Sequence, residues 1–125
     1  MALSFHKTTN YILLNPIIIL LILIILTCIR VFALYISPLE LSVDEAQYWD
    51  WSNSLAFGYF SKPPLISWLI SFSSSIIGND EWGIRIFSPI LHFIIALILW
   101  NCSNTLFGGK SGGLAALIWI TLPAS

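Results

Sequence analysis

Four side chains in this sequence have the types and spacing to do chemistry: the adjacent Asp44 and Glu45, then Lys62, then Arg85. Ser42-Val43-Asp44-Glu45 has the spacing of a capping box. In such a box the serine hydroxyl accepts from the amide three residues on, and the glutamate reaches back to the serine amide. A helix starting there places Asp44, Gln47, Tyr48 and Trp51 on one face. Glu45 is then engaged by the helix start, and Asp44 is left to point into a site. The plain alternative is that both acids only complement the helix dipole, worth about 0.3–1 kcal/mol.

The surroundings favour chemistry. Tyr48, Trp49, Trp51, Phe57, Tyr59 and Phe60 crowd the same stretch. A carboxylate beside aromatic rings at a membrane surface is expected to be partly desolvated, which suits a general base. Aromatic faces also make platforms for sugar rings. Lys62 stands in Phe60-Ser61-Lys62-Pro63-Pro64, where the prolines stiffen the backbone and favour an extended lysine. It either partners a lipid phosphate or snorkels at a helix start. Arg85 either pairs with Asp80 or Glu81 or binds a phosphate.

Other patterns carry no chemistry. Gly109-Lys110-Ser111 ends like a phosphate-binding loop, but Asn104 holds the required first glycine position. Asn101-Cys102-Ser103 is a formal glycosylation sequon at the cytoplasmic end of an expected span. Cys28 and Cys102 lie in apolar runs with no CxxC or histidine spacing, so neither a disulfide nor a metal pair is expected.

The elements that must position these residues are membrane helices. The chain is 58% hydrophobic, only 9% charged and has a mean hydropathy of +0.89, against about 25% charged residues in a soluble domain. No basic patch serves nucleic acid. Residues 11–36 form a predominantly apolar run whose one charge is Arg30, long enough for one span, with Arg30 able to snorkel near its outer end. A cleaved signal peptide fails on length and on the missing small-residue cleavage site. The polar loop and an adjoining short apolar segment occupy 37–81. Within that stretch Leu65–Ile77 is too short to span, has serines on several sides, and suits a helix lying at the interface, with Trp68 in the aromatic belt. The second span covers 82–107, a glycine-rich turn comes next, and a third apolar segment begins about residue 112 and runs to 125. Lys7 and Lys110 fall on one side if Leu65–Ile77 does not cross. That side is cytoplasmic by the positive-inside rule, and the loop faces outward. The expected fold is all-α: a multi-pass transmembrane helical protein with short juxtamembrane helices in an extracytoplasmic loop, truncated at its C-terminus.

Two motifs, Asp44-Glu45-Ala46-Gln47-Tyr48-Trp49-Asp50-Trp51-Ser52 and Gly58-Tyr59-Phe60-Ser61-Lys62-Pro63-Pro64-Leu65, together with Gly83-Ile84-Arg85, resemble the start of the bacterial multi-pass glycosyltransferases of the GT-C class. These are the group similar to protein O-mannosyltransferases and to the aminoarabinose transferase of lipid A. The resemblance covers essentially the whole chain but only the N-terminal fraction of such proteins. It implies transfer of a sugar from a polyprenyl-phosphate donor to an acceptor hydroxyl on a lipid, glycan or protein, at the outer face of a bacterial inner membrane. Carried over by position, Asp44 is the general base and Lys62 neutralises the leaving phosphate. Glu45 orients its neighbours, and Arg85 helps hold the phosphate or the loop. One departure is Ser61, where relatives often carry an acid before the lysine. A monophosphate leaving group requires no metal, and further segments leave room for a divalent ion. The chain alone is expected to be inactive. The competing readings are a non-catalytic small membrane subunit or inactive truncated product, and a transporter-like protein. The transporter is disfavoured because the ionisable residues cluster in the outer loop.

Overall fold

A computed structural model describes residues 15–108 and 111–122. Six helices form over these residues: α1 (Pro16–Ile36), α2 (Val43–Ser52), α3 (Leu65–Ile77), α4 (Glu81–Arg85), α5 (Phe87–Phe107) and α6 (Ser111–Thr121). The expected beginning of the first span at Tyr11, the charges at Lys7 and Lys110, and the stretch from Pro123 on lie outside the described residues. Among the described residues two stretches are long and apolar enough to cross a bilayer, Pro16–Ile36 and Glu81–Phe107. The all-helical, membrane-type fold expected from the sequence is the one observed.

The second stretch is not one unbroken helix. The ladder opens at Ile86, between α4 and α5. Pro89 accounts for this, because a proline has no N–H to donate to the carbonyl four residues earlier, that of Arg85.

The chain divides into two compact units, Met1–Arg30 with Ile90–Ser125, and Val31–Pro89. In the first unit, Ile19 and Leu23 pack with Ala96, Ala116 and Ile120 as a buried core, flanked by Leu26, Phe93, Trp100, Leu117 and Trp119. Small residues allow close approach here, as is usual between membrane helices. A Cβ on Gly112 would collide with the carbonyl oxygen of Trp100 and the side chain of Asn104. Asn104 instead accepts a hydrogen bond from the Gly112 amide at 3.1 Å. Gly108, at φ 89°, ends α5 and donates to the Asn104 carbonyl. Arg30 does not simply snorkel to the headgroups. Its guanidinium donates to the carbonyls of Ile120 (2.7 Å) and Leu122 (2.5 Å) and so caps the C-terminal end of α6.

In the second unit α3 has its polarity inside out. Ser67, Ile70 and Ser73 are buried, while Leu65, Ile66, Trp68, Phe72 and Ile76 are exposed. A helix facing water would show the reverse. At thirteen residues α3 is about 20 Å long, short of a bilayer core. Gly78, at φ 114°, terminates it and donates to Ser74 at 3.0 Å. The Gly78 carbonyl lies so near Gly83 that a side chain there would have to displace it. That contact sets where α4, and with it Arg85, begins.

Candidate functional site

All four residues singled out from the sequence lie in the second unit, and the structure sorts them into two ion pairs. The first is structural. Ser42 caps α2 with the full reciprocal box: the Glu45 amide donates to Ser42 Oγ at 3.3 Å, and the Ser42 amide donates to Glu45 Oε2 at 2.8 Å. The same carboxylate takes a two-pronged contact from Arg85, with Nε donating to Oε1 at 2.8 Å and Nη2 to Oε2 at 2.7 Å. Arg85 further donates to the carbonyls of Leu39 and Glu40, both at 2.9 Å. One guanidinium therefore ties the incoming chain and the first turn of α2 to the start of the second span. The neighbours expected to pair with Arg85, Asp80 and Glu81, do not. Glu45, forty residues away, takes their place.

The hydrogen bonds from Arg85 hold the Glu45 carboxyl down at about 2, against an ordinary 4.5, with the Ser42 amide adding to the effect and partial burial opposing it. A carboxyl depressed in the folded state stabilises it above its ordinary value and loses that contribution as pH falls towards the depressed one. The clamp's contribution to stability should therefore be full from neutrality down to about 4.5 and be lost between there and about 2. In the folded protein Glu45 takes up its proton only near 2, so the Arg85 Nε–H proton resonance should stay fixed to well below 4.5 and move as pH approaches 2. Movement complete by pH 4 would contradict this, and Glu45→Gln should abolish the transition.

The second pair is Asp44 with Lys62. Lys62 Nζ lies 2.5 Å from Asp44 Oδ1 and 4.7 Å from the centroid of the Tyr48 ring, over its face. The spacing of Asp44 and Tyr48 on one face of α2 makes this possible. The Asp44 side chain is 78% exposed, against 25% for Lys62. The desolvation expected for this carboxylate from its aromatic neighbours is thus not provided here. The rings pack mainly on one another.

Those rings order the loop. Trp51 stacks on Tyr59 at 4.7 Å with 3° between planes, and Tyr48 meets Trp51 edge-on at 5.9 Å. The Tyr59 hydroxyl is shared between the carbonyls of Trp51 (2.9 Å) and Ser54 (3.0 Å) and accepts from the Ala56 amide at 3.3 Å. Trp68 of α3 donates through Nε1 to the Ala56 carbonyl at 3.0 Å and packs against Phe57. A small open cleft lined by Leu55, Ala56, Phe57 and Trp68 results. Tyr59 as organiser was missed from sequence. Its place between Gly58 and Phe60, in a stretch without a helical or strand period, was the one available signal. Among the described residues no three His, Cys, Asp or Glu side chains gather as metal ligands would, and Cys28 and Cys102 are free.

The arrangement offers an accessible carboxylate in contact with a single ammonium on an aromatic floor, set in a frame that a separate ion pair holds rigid. A family model described as dolichyl-phosphate-mannose-protein mannosyltransferase matches residues 61–125. The match takes in Lys62 and Arg85 and begins after Asp44 and Glu45. Among curated proteins, the lipid A galacturonosyltransferase RgtD of Rhizobium johnstonii (strain DSM 114642 / LMG 32736 / 3841) is 38% identical over 105 residues. That is 83% of this chain and 22% of the relative, so the chain spans about a fifth of the relative's length. No solved structure matches.

Proposed function

We propose, because this chain belongs to the dolichyl-phosphate-mannose-protein mannosyltransferase family, that the protein transfers a sugar from a polyprenyl-phosphate donor to an acceptor hydroxyl at the outer face of a bacterial inner membrane. Glycosyl transfer follows from the family. The donor class, the side of the membrane and the residue roles are our reading. Asp44 accepts the proton of the acceptor hydroxyl, and Lys62 faces the phosphate that leaves. Glu45 and Arg85 position the loop. The observation that carries the reading is the separation of the two ion pairs. Arg85 makes four hydrogen bonds to Glu45, Leu39 and Glu40, which supports giving it to the frame, whereas Asp44 and Lys62 meet on the exposed face of α2.

The name of RgtD makes a lipid A acceptor and a galacturonosyl donor the first substrates to try. Membranes holding the protein at its natural length should move labelled sugar from a polyprenyl-phosphate donor to such an acceptor without any nucleotide sugar. Transfer that proceeds only from the nucleotide sugar would overturn the donor assignment.

A further inference from the structure

The second unit holds two cations, and Arg85 is committed to Glu45, Leu39 and Glu40. Lys62 alone is placed to meet a phosphate, yet it sits on the base itself, 2.5 Å from Asp44 Oδ1. The chemistry proposed above, on which this inference rests, shows how one ammonium can serve both groups. During transfer the acceptor O–H bond breaks and its proton passes to the Asp44 carboxylate. The acceptor oxygen bonds to the anomeric carbon. The bond from that carbon to the phosphate oxygen breaks, and its electron pair stays on the phosphate. Asp44 thereby goes from one negative charge to none, while the phosphodiester, with one negative charge, becomes a monoester approaching two. The total is unchanged, but the negative charge has moved from the carboxylate to the phosphate.

We propose that Lys62 follows it: the ammonium is held by Asp44 while that group is ionised, and is released to the leaving phosphate by the very proton transfer that starts the reaction. The stabilisation is then greatest where charge develops, which is the kind of interaction that accelerates a chemical step. Lysine suits the task, being a compact charge on a flexible stem. Pro63 and Pro64 hold the backbone beside it, so the side chain does the moving. The Tyr48 ring beneath Nζ gives the ammonium a surface that it need not leave as it changes partner. The open side of the pair is the carboxylate side, where substrates arrive.

It follows that neutralising Asp44 frees Lys62 even without turnover. Asp44→Asn imitates the protonated acid. The test measures binding of an unlabelled polyprenyl monophosphate to the natural-length protein in lipid nanodiscs. Asp44→Asn should bind it about tenfold more tightly than wild type, and Lys62→Gln should bind it more weakly. The gain should vanish when Asp44→Asn is made in the Lys62→Gln background. A gain that persists there is relief of carboxylate–phosphate repulsion and overturns the shuttle, as does an Asp44→Asn affinity no tighter than wild type. An unmoved Arg85 Nε–H resonance in each variant shows that the loop is intact. The assay needs no turnover, so its failure removes the shuttle alone, while a wild-type transfer rate in Asp44→Asn removes the underlying base assignment.

Discussion

Asp44→Asn should lower the rate of sugar transfer by about 10²–10⁴-fold, the usual contribution of a positioned general base, while leaving the loop folded. Asparagine matches aspartate in shape and cannot accept the proton. On the barrier this is about 3–5 kcal/mol. What the substitution takes from the fold is far smaller. The Asp44 side chain takes no part in the capping hydrogen bonds, which join Ser42 and Glu45, and its charge near the start of α2 is worth about 0.3–1 kcal/mol. Its ion pair with Lys62 is open to solvent on the carboxylate side, and exposed pairs contribute little. A steady-state transfer assay checks the rate, and the Arg85 Nε–H resonance checks the loop. A lost rate with an unmoved resonance separates chemistry from folding.

The second large effect is expected at Arg85, for the opposite reason. Arg85→Ala leaves the Glu45 carboxylate, only 35% exposed, without its charged partner, and strips the Leu39 and Glu40 carbonyls of their donor. The loss lies between that of an exposed pair and that of a buried one, about 1–3 kcal/mol, and falls on this segment alone. Hydrogen exchange should quicken over residues 39–48 and leave α6 unaffected. Transfer should fall roughly 10²-fold because the base is no longer held in place. Arg85→Lys should restore little, since an ammonium cannot reproduce the two-pronged contact while also reaching two carbonyls. Equal protection of residues 39–48 in wild type and Arg85→Ala would contradict the clamp.

These two residues also mark how far the sequence could be read. Most of the local structure was legible, though not the break that Pro89 makes at Ile86 or the role of the Tyr59 hydroxyl. The capping box at Ser42 and Glu45 is a four-residue pattern. The apolar runs of α1 and α5 have spanning length, and α3 covers Leu65–Ile77 as its composition suggested. What joins distant segments was not. Nothing near Arg85 marks Glu45 as its partner, and Asp80 and Glu81 stood closer in the chain. The direct contact of Asp44 with Lys62 was likewise invisible, because they stand eighteen positions apart with the irregular stretch 53–61 between the end of α2 and the lysine, and the Tyr59 hydroxyl sets the course of that stretch. The aromatic crowding suggested a desolvated carboxylate. The rings instead stack on each other, Trp51 on Tyr59 and Phe57 against Trp68, and leave Asp44 open. Arg30 was read from its depth alone, whereas the carbonyls it caps lie ninety residues further on.

The claim at the centre of the account is that the Asp44 carboxylate itself takes the proton. The most direct test is transfer by Asp44→Ala in the natural-length protein, measured with increasing formate. A small carboxylate entering the vacated space should restore transfer in a saturable way from a rate about 10²–10⁴-fold below wild type. Glu45→Gln, whose defect is in the frame, should not respond. Transfer by Asp44→Ala at the wild-type rate with no formate present would contradict the account.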